Sequence, residues 1–188
     1  YDPVLRQWPQ WIETAGMPLD CLPKVHEPGT VMAEARGALS QFFGIKPQTL
    51  IVAGTTDGCA SFLATGASRP GDAVTALGTT LTIKLLSQVP VSAPEFGIYS
   101  HRLMGGWLAG GASNSGGNVI TSLFSKEEVL SLTKAMKPDV ETGLNLYPLT
   151  KPGERFPFND PTYAPLMEPR PTDDVTYFQA ILEGIAAI

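Results

Sequence analysis

Apolar residues in the first third of the chain recur with the spacing of a helix, a strand and a second helix. We expect a helix over residues 30–43, capped by Thr30 and carrying Leu39 on its apolar face. Residues 49–53 are almost continuously apolar, which is typical of a buried strand in an α/β sheet. Small and apolar residues from 57 to 67 again have helical spacing. The order strand then helix predicts an α/β unit.

After a turn at residues 69–72 the pattern changes to short strands. Alternating runs predict two hairpins, and later helical spacing predicts three more helices. A capping box at Ser125 and Glu128 starts the second of these helices. The predicted elements are hairpins at 73–77 with 81–86 and at 98–103 with 107–109, and helices at 119–124, at 126–137 and after 172–174. We place a domain boundary near residues 66–72, where the α/β unit gives way to hairpins.

Composition narrows the classes of function. The chain has 188 residues, of which 43% are hydrophobic and 16% charged, and its formal net charge is −5. This length fits one domain or slightly more and is enough to bury a core. A mildly acidic balance gives no support to binding of a phosphate backbone, so we expect no nucleic-acid partner.

Metal and membrane motifs are not evident in the sequence. Cys21 and Cys59 have no Cys or His partner at zinc spacing, and no apolar run approaches the roughly 18 residues of a membrane span. We expect no metal-ligating cluster of side chains and no membrane partner. The chain begins at Tyr1 and stops inside an apolar helical pattern, so we also expect that both ends have been cut.

The sharpest chemical feature is Asp57, which follows a predicted strand and opens a predicted helix. Folds of the α/β class place active sites outside the C-terminal ends of their strands. The helix dipole and the first amides of the helix stabilise a carboxylate there, and it could accept a proton from a substrate hydroxyl. The alternative is that Asp57 only caps its helix. The residue alone leaves both interpretations open.

Two further segments could bind phosphate. Gly78-Thr79-Thr80 is a tight turn that exposes backbone amides and two hydroxyls, which can surround phosphate oxygens, yet it also fits an ordinary hairpin. Residues 110–117 are rich in glycine but match neither the dinucleotide fingerprint nor the Walker loop. Glycines allow close approach of the backbone either to a ligand or to another element. Both interpretations stay open for each segment.

Taken in order, these features resemble the centre of the FGGY carbohydrate kinases. In that family a strand leads to a catalytic Asp, followed by a Gly-Asp turn, a Leu-Gly-Thr-Ser/Thr hairpin and a Gly-Gly-x-x-x-x-Gly segment. The matching positions are 53–57, 70–72, 77–80 and 110–117. The sequence is most similar to the xylulokinase-like D-ribulose kinases of cyanobacteria and plants in four stretches, at residues 85–89, 99–101, 153–157 and 168–171.

The resemblance implies a ribonuclease-H-like (actin-like ATPase) α/β fold with two domains around a cleft, of which this chain is a central fragment. Residues 1–66 would be the C-terminal part of the first domain and residues 67–188 most of the second. Closure of the two domains would exclude water from the reaction. The cytoplasm or the chloroplast stroma would be its location.

The resemblance also implies the roles of the site residues. Asp57 would take the proton from the sugar hydroxyl that attacks the γ-phosphoryl group of ATP. Gly78, Thr79 and Thr80 would contact the nucleotide phosphates, and Gly111 would lie near the nucleotide. Mg²⁺ would bridge the phosphates. The partners would be ATP and a sugar, such as the ketopentoses D-ribulose or D-xylulose, and no oligomeric state follows.

This sequence departs from the family pattern in two places. The N-terminal Asp-x-Gly-Thr/Ser phosphate loop and the C-terminal Gly-Gly-Gly adenosine motif are missing, so we expect these 188 residues alone to be inactive. The alternative function is a non-catalytic fragment or scaffold subunit in an assembly. A third interpretation is a related actin-like ATPase or acyl-group kinase.

Overall fold

The chain forms two antiparallel sheets joined by short helices. A computed structural model describes residues 1–188, apart from the side chain of Leu39. Short 3-10 helices lie at Leu19–Cys21 and Pro94–Phe96. In chain order the remaining elements are α1 (Trp11–Thr14), β1 (Val31–Glu34), α2 (Ala38–Phe43), β2 (Leu50–Val52), α3 (Asp57–Ala64), β3 (Ala73–Leu77), β4 (Leu81–Ser87), β5 (Tyr99–Leu103), β6 (Gly106–Ala112), α4 (Gly117–Leu123), α5 (Lys126–Ala135) and α6 (Asp174–Ala186).

The larger sheet has the strand order β3-β4-β6-β5, with every neighbouring pair antiparallel. Both predicted hairpins are therefore confirmed. Leu77 pairs with Leu81 and closes the turn between β3 and β4, while Thr82 pairs with Ala112 at the end of β6. Because β4 and β6 are antiparallel, the residues that follow β6 lie beside the turn that precedes β4.

The prediction of one helix over residues 30–43 is wrong in its first half. Val31–Glu34 is strand β1, which pairs with β2, and the Thr30 carbonyl accepts a hydrogen bond from the Ala53 amide. This pairing satisfies backbone groups that a helix would otherwise use, so tertiary contact overrides the helical pattern. Gly37 then takes a left-handed φ of 64°, and α2 begins only after it. The side chain of Leu39, assigned to the apolar face of this helix, lies outside the described residues.

Strand β2 was predicted as a buried strand, and only the strand is confirmed. Its residues Leu50, Ile51 and Val52 are 53%, 42% and 46% exposed. All four residues of β1 are exposed as well. The small β1–β2 sheet therefore presents apolar side chains to solvent in this structure.

The main core lies where α6 crosses α4 and the start of β4. Phe178 and Ile181 of α6 are 2% and 0% exposed, and they pack with residues of α4 and with Leu81. Asp173 caps α6 by accepting hydrogen bonds from the amides of Val175 and Thr176. Ser125 and Glu128 form both hydrogen bonds of the predicted capping box at α5. These two caps set the N-terminal ends of α5 and α6.

A second core joins α3 to the larger sheet. Cys59 and Phe62 of α3, at 2% and 1% exposure, pack against Leu86, Leu103 and Leu108. The predicted domain boundary between residues 66 and 67 stays a prediction. Helix α3, on the N-terminal side of that boundary, packs against the sheet on its C-terminal side.

Gly184 in α6 provides a test of the main core. Replacing a helical glycine by alanine ordinarily stabilises a protein by about 0.5–1 kcal/mol. A Cβ at Gly184, however, would lie 2.6 Å from the Leu146 carbonyl oxygen and 2.9 Å from Cδ of Pro148. We expect Gly184→Ala to lower the free energy of unfolding by about 1–3 kcal/mol, because α6 must move away from that backbone. Denaturant unfolding measures the change.

The matched control is Gly58→Ala in α3, where a Cβ would meet nothing within 4 Å. We expect this variant to be as stable as the wild type or slightly more so. If Gly184→Ala behaved like Gly58→Ala, the close packing of α6 on Leu146 would be wrong.

Candidate active site

Asp57 is the first residue of α3, and its side chain is exposed. Its Oδ1 accepts a hydrogen bond of 2.7 Å from the amide of Gly58. The N-cap is Thr56, whose backbone is extended with φ −72° and ψ 157°. Asp57 therefore does not hold the N-cap position that the alternative interpretation gave it. Its carboxylate faces solvent at the end of a strand-to-helix connection.

The turn between β3 and β4, Gly78-Thr79-Thr80, is called the 78–80 turn below. Gly78 and Thr79 are exposed, and Thr80 is half-buried. The Gly78 carbonyl accepts a hydrogen bond of 2.8 Å from the Gly117 amide, and the Thr79 carbonyl accepts one of 3.0 Å from the Asn118 amide. The first amides of α4 are thus bonded to the carbonyls of the turn.

The orientation of these carbonyls sets the orientation of the turn's amides. In a planar trans peptide the N–H points away from the carbonyl of the preceding residue. Because the carbonyls of Gly78 and Thr79 point at α4, the N–H groups of Thr79 and Thr80 point away from it. Within the described residues neither N–H meets an acceptor. Two neighbouring N–H groups and the Thr79 side chain are therefore presented on the exposed side of the turn.

The glycines after β6 allow the backbone to approach the 78–80 turn closely. A Cβ at Gly116, where φ is +145°, would lie 2.7 Å from the Leu81 amide nitrogen, and a Cβ at Gly117 would lie 2.6 Å from the Gly78 carbonyl oxygen. Of the two roles left open for these glycines, close approach of one element to another accounts for both positions. They bring residues 113–118, called the 113–118 segment below, against the turn.

Gly111 lies inside strand β6 and pairs with Ile83. It is buried, and a Cβ there would lie 2.4 Å from Cδ2 of Phe156. Its lack of a side chain makes room for the Phe156 ring. The structure thus gives Gly111 a packing role, and its proximity to a nucleotide stays a prediction.

A buried carboxylate that sequence reasoning missed holds the 113–118 segment. Glu154 is 1% exposed. Its oxygens accept hydrogen bonds from the Ser113 hydroxyl at 2.7 Å, the Asn114 amide at 2.7 Å, the Tyr147 hydroxyl at 2.8 Å and the Arg155 amide at 2.7 Å. These five residues form the Glu154 network. The two donors from the 113–118 segment, Ser113 and Asn114, lie 41 and 40 residues from Glu154 along the chain, so no local sequence pattern marks this contact.

Tyr147 is the donor whose chemistry the network changes most. Burial, together with the hydrogen bond and charge of Glu154, raises the pKa of the Tyr147 hydroxyl well above its usual range. The phenol therefore keeps its proton at neutral pH and remains a donor to Glu154.

Ser115 lies next to this network without joining it. Both Ser113 and Ser115 are 0% exposed. The Ser113 hydroxyl donates to Glu154 and accepts from the Ser115 amide, whereas the Ser115 hydroxyl has no hydrogen-bond partner among the described residues. The 113–118 segment thus contains two buried hydroxyls, of which Ser113 both donates and accepts a hydrogen bond and Ser115 has no partner among the described residues.

The structure brings only some of the predicted site residues together. The 78–80 turn lies against the 113–118 segment, while Asp57 has no hydrogen bond to either among the described residues. The part of the chain that the structure describes contains no group of three or more His, Cys, Asp or Glu that could hold a metal ion. Over the same residues, no helix has both the length and the apolar character needed to span a membrane.

Comparison with known proteins gives the fold a context. No protein-family model matches the chain. A gluconokinase from Bacillus licheniformis is 30% identical over 107 residues, which are 56% of this chain and 21% of that protein. The ligand-bound xylulose kinase from Lactobacillus acidophilus matches with a TM-score of 0.78 at 22% identity, covering 95% of this chain and 38% of the kinase.

A gluconate kinase from Lactobacillus acidophilus matches equally widely, with a TM-score of 0.77, 22% identity and the same coverage. The chain has a sugar-kinase fold. The predicted α/β fold class is thereby confirmed. The chain spans 38% of the length of each of these two solved kinases, and its match to the gluconokinase spans 21% of that protein.

The two buried serines give a matched test of the site's hydrogen bonding. Ser113→Ala removes a donor to Glu154 and the acceptor of the Ser115 amide, so we expect the free energy of unfolding to fall by about 1–3 kcal/mol. Ser115→Ala removes a buried hydroxyl that has no partner, so we expect stability to stay within about 0.5 kcal/mol of the wild type or to rise. Thermal and denaturant unfolding measure both. Equal losses in the two variants would contradict these assignments.

Proposed function

We propose that this chain is part of an ATP-dependent sugar kinase in which Asp57 is the general base and the 78–80 turn binds nucleotide phosphates. The observation that carries the proposal is the outward orientation of the Thr79 and Thr80 N–H groups. Successive N–H groups that face the same way form a concavity suited to anions. The exposed Thr79 hydroxyl adds a further donor.

The exposed carboxylate of Asp57 suits the other half of the reaction. In this proposal it accepts the proton of the attacking sugar hydroxyl, so that oxygen becomes a better nucleophile as the phosphoryl group transfers. The Gly58 amide holds Oδ1 and leaves Oδ2 for the hydroxyl. ATP would supply the phosphoryl group, and Mg²⁺ bound with it would neutralise charge that develops during transfer.

In this proposal a magnesium ion would be held mainly by the phosphates of ATP and by water. Mg²⁺ commonly keeps several waters and takes only one or two carboxylates beside substrate phosphates, so it needs no dedicated protein cage. We assign no side chain of this chain as a ligand.

We propose a ketopentose, D-ribulose or D-xylulose, as the acceptor. The support is the resemblance of residues 153–157 and 168–171 to ketopentose kinases and the structural likeness to a xylulose kinase. Gluconate is a second candidate, because a gluconokinase is 30% identical over 107 residues and a gluconate kinase shares the fold. Location in the cytoplasm or chloroplast stroma remains a prediction.

Asp57→Asn tests the general base. In protein made from the complete reading frame, we expect kcat to fall by about 10²- to 10⁴-fold, since an amide cannot take the proton. We expect ATP affinity to be unchanged, because the 78–80 turn is intact. A coupled assay of ADP release with D-ribulose, D-xylulose and gluconate measures the rate, and ATP titration measures the affinity.

The control is Asp139→Asn, which changes an exposed carboxylate outside the site and should keep full activity. Undiminished kcat in Asp57→Asn would remove Asp57 as the base. A wild-type protein that binds ATP yet phosphorylates none of the three acceptors would overturn the proposed substrates and favour a non-catalytic scaffold.

A further inference from the structure

We propose that Glu154 is a positioning residue for the nucleotide phosphates, acting through the 113–118 segment on the 78–80 turn. The inference rests on the proposed function, in which that turn binds phosphate. Glu154 itself is 1% exposed and lies behind the segment, so it acts through other residues.

Glu154 holds the 113–118 segment directly through its carboxylate. One carboxylate oxygen accepts from the Ser113 and Tyr147 hydroxyls, and the other accepts from the amides of Asn114 and Arg155. The Asn114 side chain also donates to the Gly153 carbonyl at 2.9 Å. The segment and residues 153–154 are thus joined in both directions. The Glu154 carboxylate accepts from the segment, and the Asn114 side chain of the segment donates to the Gly153 carbonyl.

The 113–118 segment is joined to the 78–80 turn and Leu81 by backbone hydrogen bonds. The Ser113 amide donates to the Leu81 carbonyl at 2.9 Å, and the Leu81 amide donates to the Ser115 carbonyl at 2.7 Å. Two further bonds run from the amides of Gly117 and Asn118 to the carbonyls of Gly78 and Thr79. These last two bonds orient the peptide planes whose N–H groups face outward.

The Glu154 network reaches the end of β6 through Ser113, which directly follows that strand. Ser113 is both the residue that donates to Glu154 and the residue that continues the β6 ladder onto Leu81. A shift of Ser113 therefore moves the residue that follows the turn. Without the carboxylate, four donors lose their acceptor, and the buried segment must move to satisfy them.

The test compares Glu154→Ala with Glu183→Ala in protein made from the complete reading frame. Glu183 is a matched control because its carboxylate also accepts from several donors, namely the amide and hydroxyl of Thr142 and the side chain of Gln179. It holds Thr142, in the connection between α5 and α6, and has no hydrogen bond to the 113–118 segment among the described residues.

We expect Glu154→Ala to weaken ATP binding and raise KM for ATP by on the order of 10- to 100-fold, with KM for the sugar unchanged. We expect Glu183→Ala to lower the melting temperature while leaving KM for ATP unchanged. Assays run well below the melting temperature of every variant. Unchanged ATP affinity in Glu154→Ala, or equal loss in both variants, would overturn the inference.

Glu154→Gln provides the conservative rescue. Its carbonyl oxygen can accept from the amides of Asn114 and Arg155, and its NH₂ group can donate to the hydroxyl oxygens of Ser113 and Tyr147, so we expect ATP affinity within about threefold of the wild type. If Glu154→Ala fails to fold, Ser113→Ala takes its place, since it removes the side-chain hydrogen bond that joins the segment to the carboxylate. No rise of KM for ATP in Ser113→Ala would then count against the inference.

Hydrogen exchange at the Gly117 amide separates this inference from the proposed function. The amide is protected by its bond to Gly78, and we expect Glu154→Ala, but not Glu183→Ala, to make it exchange faster. Faster exchange with weaker ATP binding supports the inference. If the wild type binds no ATP, the proposed function fails, while unchanged exchange in Glu154→Ala would show separately that Glu154 does not order the turn.

Discussion

Four backbone hydrogen bonds between residues 78–81 and the 113–118 segment determine how the candidate phosphate site is presented. Each contributes only about 0.5–1.5 kcal/mol net to stability, but together they fix the direction of consecutive peptide planes. Two glycines make the contact possible, because any side chain at Gly116 or Gly117 would collide with the turn's backbone. The outward orientation of the Thr79 and Thr80 amides is therefore a consequence of bonds made on the opposite side of the turn.

A phosphate site of this kind depends on polar groups that never reach solvent. Glu154 is buried, yet its hydrogen-bonding capacity is met by donors from three separate parts of the chain. Such a network favours one arrangement strongly, since a partly satisfied carboxylate in a low-dielectric interior is costly. Rigidity at the surface of the turn is thus supplied from the interior.

The sequence was informative where structure is decided locally. Both hairpins and the Ser125 capping box depend on residues within a few positions of each other, and all were predicted correctly. The error at residues 31–34 arose because pairing with β2 depends on residues nearly twenty positions away. Of the candidate site, the exposed Asp57 and the 78–80 turn could be read from motifs. The contact of Glu154 with the 113–118 segment could not, since Ser113 and Asn114 lie 41 and 40 residues before Glu154 and no local pattern marks them.

The packing of α3 on the larger sheet has a mechanical consequence. Phe62 and Cys59 are held in a core with Leu108 and Leu86, so α3 and the strands of the sheet pack together as one unit. A hinge placed between residues 66 and 67 would have to open this core to move. Motion of the N-terminal residues relative to this unit is better accommodated at residues 53–56, none of which is buried, and it would leave the spacing between Asp57 and the 78–80 turn unchanged.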